Sequence, residues 1–477
     1  MSSYIISKTL NPKRIFILQK SELEKRLDPF FYVPELLELE KKVLAKKPNK
    51  LRDYVQSLAS GATPKTTESE KYYAEKENGI PFLRVQNLSP TGVLEFDDCK
   101  YINEETHNGM LKRSQVSAGD LLVKITGVGR MAVASVAPEE FEGNINQHVC
   151  VIKTGSKEIS ETLAAFLNSE IGEKLASRRS TGGTRPALDY PALLSIPIIE
   201  DKRILQITEK VIAQKQKNEA EAEKLLSSID DYLLNELGIK LPAPPENTLQ
   251  NRMFTRFLKE ISNNRFDPFF HQNYFENIYL AISKSRYKTT PLKKVISSYS
   301  KGVEVGSSEY LQEGKPFVRV ADITDFSINW LNADKKISEN KFNELKKFYK
   351  PKIGEILYSK DGTIGFCVVV QEEDDYIISS GILRISCKNN FDNYLLKYIL
   401  SSKVYKQLAE RVSIGTVIKH LTIEDWLNLP IPVPPLDKQK EIAEHITGIR
   451  QQAQQLKDKT TELLKKASEE IEEILLN

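Results

Sequence analysis

Few residues have the types and spacing that catalysis would need. Gly127-Val128-Gly129-Arg130-Met131-Ala132 fits the G-x-G-x-x-A pattern of dinucleotide-binding turns, but the following residues are typical of a strand, whereas such a turn must open a helix. The sequence contains no Gly-x4-Gly-Lys-Ser/Thr phosphate-binding loop and no Gly-x-Ser-x-Gly elbow. We therefore interpret residues 127–132 as a tight β-turn.

The other candidate motifs also indicate a structural role and not a catalytic or metal-binding one. Asp28-Pro29-Phe30-Phe31 is comparable with the Asp/Asn-Pro-Pro-Tyr/Phe motif of amino-methyltransferases, but the second proline is missing, so we interpret it as a turn with aromatic anchors. The five histidines and four cysteines lack metal-ligand spacing. The scattered cysteines indicate a reducing compartment. The sequence thus predicts no catalytic residues and no metal ligands.

The elements that carry these motifs occur twice. Asp28-Pro29-Phe30-Phe31 recurs 239 residues later at Asp267, IPFLRVQNL at 80–88 recurs 235 residues later, and Ile196-Pro197-Ile198 recurs 233 residues later as Leu429-Pro430-Ile431. Short β-like segments separated by turn residues come first in each copy, and a helical segment follows, at 159–179 and 393–412. The sequence predicts two copies of one mixed α/β unit.

Each copy ends in a long charged helix, predicted at 201–237 and 437–476. Apolar residues recur at steps of three and four along both helices, although Glu470 interrupts the second pattern and the middle of the first is polar. A helix of 37 residues is about 55 Å long. We expect the two helices to pair as an antiparallel coiled coil; a solvated helix packed on its own domain is the alternative. The apolar positions are Ile204, Ile207, Val211, Leu225, Ile229, Leu233, Ile442, Ile446, Ile449, Leu456, Leu463 and Ile474.

These features resemble the specificity (S) subunit of type I restriction-modification systems, the HsdS family. The motifs that carry the resemblance are Ser60-Gly61-Ala62-Thr63-Pro64-Lys65, Gly119-Asp120-Leu121-Leu122 with its partner at 354–357, and Pro434-Pro435-Leu436-Asp437-Lys438-Gln439 before the second helix. Two departures are that the second copy lacks the Thr-Pro turn and the first helix lacks the Pro-Leu-x-x-Gln entry. The resemblance covers essentially the whole chain.

The resemblance implies an α+β fold with target recognition domains at 1–198 and 241–432 and spacer helices at 199–240 and 433–477. Each recognition domain would bind half of a bipartite site in double-stranded DNA. The helices, through the apolar positions given above, would space the half-sites and dock two methyltransferase subunits, and restriction subunits would join for cleavage. The chain itself would be non-catalytic and bind no cofactor, since S-adenosylmethionine is expected in the methyltransferase subunits.

Candidate DNA-binding residues follow from polar side chains that interrupt the strand pattern, because base edges and phosphates are contacted by Arg, Lys, Gln, Ser and Thr on rigid loops. The cationic segment 174–185 and its counterpart at 411–420 are the strongest, although a solvated helix terminus would look similar. The other positions could be plain turn residues. The candidates are Lys124, Thr126, Arg130, Gln147, Arg178, Arg179, Thr184, Arg185, Lys360, Thr363, Ser380, Arg411, Thr416 and Lys419.

Composition agrees with this division of roles. The chain has 477 residues, of which 28% are charged, and a net charge of +3. The two helical segments together carry −4, which leaves +7 on the rest, so mildly basic domains accompany an acidic spacer. No apolar segment is long enough for a membrane span, and we expect a cytoplasmic protein. A coiled-coil scaffold that binds only proteins and a standalone DNA-modifying enzyme are the alternatives.

Overall fold

The short apolar segments of each repeat form β-strands, as predicted. The computed structural model describes residues 11, 15–24, 26–246, 248–257, 261, 266–325, 327–331, 333–415 and 419–477. They divide into two compact units, unit 1 made of Met1–Asn218 with Asp458–Asn477, and unit 2 made of Glu219–Lys457. Each long helix is therefore divided between the units, whereas we predicted helices that are separate from the domains.

Unit 1 contains a four-stranded antiparallel sheet in the order β2-β9-β6-β7, a second sheet in the order β4-β3-β8-β5, in which β3 and β8 are parallel, and the pair β1-β10. Apolar side chains of β6 and β9 are fully buried on both faces, because helices cover one face and the second sheet lies against the other. The strands are β1 (Asn49–Lys50), β2 (Ser57–Ser60), β3 (Ile80–Leu83), β4 (Lys100–Ile102), β5 (Gln115–Ser117), β6 (Leu121–Lys124), β7 (Ala134–Val136), β8 (Glu142–Ile145), β9 (Val149–Lys153) and β10 (Pro197–Ile198).

The helices of this unit place one apolar face on the four-stranded sheet. The predicted helical segment at 159–179 is divided at Ser169, whose extended backbone ends one helix and whose hydroxyl accepts a hydrogen bond from Gly172 N (3.0 Å) to start the next. The helices are α1 (Pro34–Ala45), α2 (Ser69–Tyr72), α3 (Glu104–Asn108), α4 (Lys157–Asn168), α5 (Glu170–Arg179), α6 (Tyr190–Leu194) and the long α7 (Lys202–Leu237), which continues into unit 2.

Unit 2 repeats this topology. Its strands are β11 (Thr289–Pro291), β12 (Ile296–Lys301), β13 (Lys315–Val318), β14 (Lys336–Ile337), β15 (Ile356–Ser359), β16 (Cys367–Val369), β17 (Ile377–Ile378), β18 (Ile382–Cys387), β19 (Ser413–Ile414), β20 (His420–Leu421) and β21 (Pro430–Pro432). Its helices are α8 (Leu249–Arg252), α9 (Asn273–Ser283), α10 (Leu292–Val295), α11 (Glu339–Tyr349), α12 (Asn393–Ser401), α13 (Lys403–Arg411), α14 (Ile423–Trp426) and α15 (Leu436–Leu476), of which the last continues into unit 1.

The four-stranded sheets of the two units correspond strand by strand, whereas the second sheet has four strands in unit 1 and, within the described residues, three in unit 2. The order β2-β9-β6-β7 corresponds to β12-β18-β15-β16, the parallel pair β3-β8 to β13-β17, and β1-β10 to β11-β21. The helix break at Ser169 recurs at Ser402, between α12 and α13. The prediction of two repeated mixed α/β units is confirmed.

The long helices pair in opposite directions within each unit. In unit 1, Ile204 of α7 packs in the same core as Ile471 and Leu475 of α15, and Asn218 Nδ2 donates to Thr460 Oγ1 (3.0 Å). In unit 2, the Tyr232 ring stacks on His445 and Lys438 forms an ion pair with Glu236 (2.8 Å). Because residue numbers rise along α7 as they fall along α15, the predicted antiparallel coiled coil is confirmed.

Candidate nucleic-acid interface

Four chain segments meet at one edge of the four-stranded sheet in unit 1. Strands β2 and β6 end there and β9 begins there, because β9 pairs antiparallel with both. The turns at 61–63, 125–129 and 146–148 are thereby adjacent, and the hairpin 181–187 that follows α5 joins them. We name these four segments the unit 1 loop junction.

Backbone hydrogen bonds fix the loop junction. Gly61 N donates to Asn146 O (3.2 Å), Gly127 N donates to Pro186 O (3.0 Å), and Leu188 N donates to Ile125 O (2.8 Å). A side chain at position 61 would place its Cβ 1.6 Å from the carbonyl oxygen of Ile145, so only glycine allows this approach. The loops are therefore positioned by the rigid sheet.

Three of the predicted DNA-binding residues are exposed at this loop junction. Gln147, Thr184 and Arg185 face solvent, and Thr126 is half-buried beside them in an antiparallel bridge to Ala187. Polar side chains on a rigid, exposed frame are what recognition of base edges and phosphates requires. The structure thus brings together the predicted residues of three separate segments.

Lys124 has a different role from the predicted one. It is buried, and its ammonium donates to Val128 O at 2.7 Å, across the turn that follows β6. Burial lowers the pKa of this amine. Because its donor is used inside the turn, Lys124 shapes the loop junction and is not a contact for DNA.

Arg178 and Arg179 are also wrongly predicted as DNA contacts. Both are buried at the end of α5, and both pair with the carboxylate of Glu40 on α1. Burial lowers the pKa of each guanidinium to about 10, so both stay charged at neutral pH. A guanidinium enclosed in this way cannot reach a phosphate, and the two residues join α5 to α1.

Arg130 holds the break between α4 and α5. Its guanidinium pairs with Glu170 and donates to Asn168 O at 2.7 Å. The planar donor fork is thereby occupied by protein acceptors, and this placement corrects the prediction that Arg130 contacts DNA.

A corresponding unit 2 loop junction is formed by the turns at 302–303, 360–364 and 379–381 and by the hairpin β19-β20. Gly362 N donates to Lys419 O (2.9 Å), the counterpart of the Gly127–Pro186 bond. The Asp361 carboxylate binds Lys360 and accepts from His420 Nδ1 at 2.9 Å. The bridge between Asp361 and His420 thus corresponds to the bridge between Thr126 and Ala187 in unit 1.

The other predicted residues of unit 2 have mixed placements. Thr363 is exposed, Ser380 is half-buried, and the half-exposed Lys419 forms an ion pair with Glu410 (3.2 Å), all at the loop junction. Thr416 lies outside the described residues.

Arg411 is a structural residue, contrary to the prediction. Its Nε donates to Phe270 O at 2.8 Å and its guanidinium lies over the Phe270 ring at 4.6 Å. Arg178 makes the same contacts with Phe31, at 2.8 Å and 3.8 Å. The Asp-Pro-Phe-Phe turns are therefore held by one arginine in each unit, which supports interpreting them as anchors. The spacing of 233 residues between these arginines could have indicated a shared structural role.

The predicted partner-binding positions lie along the faces of α7 and α15 that pack against each other, which we call the seam. Ile204, Val211, Ile229, Leu233, Ile442 and Ile446 are buried, and Ile207, Leu225, Ile449, Leu456, Leu463 and Ile474 are half-buried. The buried side chains pack within the units and offer no surface to another protein, which corrects their assignment as partner contacts. The seam also uses Ala222, Ala453 and Ile471, and the Asn218–Thr460 pair crosses the polar middle of α7.

The described residues contain neither a cluster of metal ligands nor a membrane-spanning helix. In that part of the chain, no group of three or more His, Cys, Asp or Glu side chains is arranged to hold a metal ion. None of its helices combines the length and apolar character of a membrane span.

Known proteins similar in sequence to this chain include specificity subunits of type I restriction enzymes. Residues 284–473 match the type I restriction modification DNA specificity domain. The type I restriction enzyme EcoBI specificity subunit of Escherichia coli is 22% identical over 403 residues, 83% of this chain and 77% of that protein. The MjaVIII specificity subunit of Methanocaldococcus jannaschii is 24% identical over 196 residues, 40% of this chain and 45% of that protein.

Solved structures similar to this chain include the HsdS subunit from Thermoanaerobacter tengcongensis, at 16% identity and a TM-score of 0.32, covering 90% of this chain and 96% of that one. The S subunit from M. genitalium is 12% identical with a TM-score of 0.40, covering 90% of this chain and 94% of that one. The matched domain and the curated relatives thus make the chain similar to specificity subunits of type I restriction-modification systems, the family that its sequence resembles.

Proposed function

We propose that each unit recognises one half of a bipartite DNA site through its loop junction. The observation that carries this proposal is the duplication: both units bring corresponding segments to the same sheet edge, yet they present different polar side chains there. Arg185 and Gln147 stand in unit 1, and Asp361 with His420 in unit 2. A duplicated frame with different side chains suits the recognition of two different half-sites.

The long helices would set the gap between the half-sites and dock two methyltransferase subunits. At 1.5 Å per residue, the 36 residues of α7 extend about 54 Å, more than one turn of DNA at about 34 Å. Partner contacts would use the exposed and half-buried flanks of the helices, since the seam is occupied. The methyltransferase subunits would supply S-adenosylmethionine for methylation of adenine N6, and restriction subunits would join for cleavage.

The modest net charge of the recognition units suggests that DNA affinity is shared with partner subunits. A net charge of +7 outside the helical segments favours phosphate contacts, but it is small for two DNA-binding units. We therefore expect the partner subunits to contribute much of the affinity, while this chain supplies the sequence preference.

The test is a pair of reciprocal chimeras. The chain is co-expressed with the methyltransferase subunits of its own system in a host without other adenine methyltransferases, and the methylated motif is determined by sequencing modified bases. Replacing residues 1–198 by the matching segment of another specificity subunit should change one half of the motif, and replacing 241–432 should change the other half. An unchanged motif in both chimeras would contradict the proposal, as would methyl transfer by the purified chain alone.

A further inference from the structure

One histidine orients two exposed polar side chains at the unit 1 loop junction. His148 Nε2 lies 3.0 Å from Arg185 Nη2 and 3.2 Å from Gln147 Nε2, and both of those atoms are donors. Burial and the positive charge of Arg185 lower the pKa of His148, so the ring is neutral at pH 7 and its Nε2 can accept. The hydroxyl of Thr63 donates to the other end of the Gln147 amide, which fixes the orientation of the amide.

Both side chains keep unused hydrogen-bonding capacity. Within the described residues, no carboxylate pairs with Arg185, and its Nε and Nη1 have no protein acceptor. The Gln147 amide retains a second lone pair on its oxygen and a second hydrogen on its nitrogen. This differs from Arg130, Arg178 and Arg179, whose guanidinium groups are occupied by protein acceptors.

The distance between the donor nitrogens of Arg185 and Gln147 is comparable with the spacing of stacked base pairs. Because both nitrogens contact the same histidine atom, they are separated by no more than the sum of the two distances, about 6 Å. Adjacent base pairs are stacked at about 3.4 Å. The two side chains can therefore reach the same base pair or neighbouring ones.

We propose that Arg185 and Gln147 determine sequence specificity in the half-site of unit 1, Arg185 by a bidentate contact to guanine O6 and N7 and Gln147 by a contact to adenine at the same or the neighbouring base pair. The chemistry follows from the side chains, since an arginine fork matches guanine and a side-chain amide matches adenine in the major groove. His148 and Thr63 are positioning residues. This inference rests on the proposed function.

Unit 2 is expected to prefer different bases. Its loop junction has the Asp361 carboxylate where unit 1 has Thr126, and Ser380 where unit 1 has Gln147. The arginine–glutamine pair is thus a property of unit 1 alone among the described residues of the two loop junctions, and its effect should be confined to one half of the motif.

The experiment compares single variants in the co-expressed complex with its methyltransferase subunits. Arg185→Ala and Arg185→Lys should each relax one guanine position in the half-site assigned to unit 1, by roughly 10- to 100-fold in discrimination, because lysine keeps the charge and loses the fork. Arg113→Ala removes an exposed arginine of unit 1 outside the loop junction and is the matched control; it should leave the motif unchanged.

The positioning role is tested at His148. His148→Ala should weaken discrimination at both positions, and His148→Gln, which retains an acceptor, should restore part of it. If Arg185→Ala reduces methylation equally at all sites and leaves the motif intact, Arg185 is a phosphate ligand and the inference is wrong. Failure of the proposed function is distinguishable, since the wild-type complex would then methylate no bipartite motif.

Discussion

Buried cations at the end of α5 show how single residues fasten unit 1 together. Arg178 and Arg179 share the Glu40 carboxylate, and Arg178 also holds the Phe31 carbonyl of the Asp-Pro-Phe-Phe turn. Glu40 is the carboxylate that contacts both enclosed guanidinium groups, with Glu24 as a further favourable charge, and an unpaired buried charge would be costly. The N-terminal turn, α1 and α5 therefore depend on the same small cluster.

Neutralising Glu40 should weaken unit 1 strongly. Glu40→Gln leaves both buried guanidinium groups without a full counter-charge, and we expect a loss of about 3–5 kcal/mol in the free energy of unfolding. Chemical denaturation followed by hydrogen exchange in β6 and β9 measures the effect. Glu38→Gln, an exposed neighbour on α1, is the control and should change stability little. Equal stability of the two variants would show that the cluster is not structural.

Residue roles at the α5 terminus could not be predicted from local sequence. The segment 174–185 contains four cations and no acid, which locally resembles a phosphate-binding surface. Two of these cations, Arg178 and Arg179, pair with Glu40, far earlier in the chain, and that pairing exists only in the folded unit. Arg185, by contrast, lies in a turn that Gly182 and Gly183 mark in the sequence, and it is exposed, as is Gln147.

At the scale of elements, α12 has a lysine on its buried face. Lys397 is 5% exposed, and its ammonium lies 4.9 Å from the Tyr398 ring centroid. Burial, with a contribution from Arg450, lowers its pKa from 10.5 to about 8. The fold thus favours the neutral amine, and the charged form present at pH 7 opposes folding of unit 2.

The stability of unit 2 should therefore rise with pH. Between the folded pKa of about 8 and the unfolded value of 10.5, the unfolded chain binds more protons than the folded one, so raising the pH stabilises the fold, by up to about 3 kcal/mol. Lys397→Met should be more stable at pH 7 and should lack this rise. The measurement is the difference in unfolding free energy between wild type and variant from pH 7 to 10.5. Lys388→Met, at an exposed position, should follow the wild type; a parallel pH profile for Lys397→Met would refute the prediction.

At the scale of the whole molecule, the sequence could predict what is repeated or periodic. The strands, the long helices and the duplication follow from alternating apolar segments, from steps of three and four residues, and from constant offsets. The division into units could not be predicted in this way, because the last residues of the chain complete the core of the first repeat. A straight helix has 3.6 residues per turn, so a seven-residue apolar repeat does not stay on one face along its length. Ile471 is therefore buried between the two helices, next to Glu470, where the predicted apolar pattern is interrupted.

This discontinuous division predicts that the two units respond differently to loss of the C-terminal end of α15. Removing residues 458–477 takes Ile471 and Leu475 from the core of unit 1 and the Thr460 partner from Asn218. Each fully buried Ile or Leu side chain contributes about 1.5–3 kcal/mol, so unit 1 should lose several kcal/mol of stability. The core residues Ile442 and Ile446 of unit 2 remain in place.

Hydrogen exchange can resolve the two units in one sample of the full chain and its variants. In the truncated chain, the amides of β6 and β9 should lose protection while those of β15 and β18 keep it, because only the first pair belongs to the core that Ile471 and Leu475 complete. The double substitution Ile471→Ala with Leu475→Ala should reproduce the effect without shortening the chain, whereas Lys465→Ala with Glu469→Ala removes an exposed pair of the same helix and should not. Equal loss of protection in both units would mean that they unfold as one cooperative body despite their separate cores.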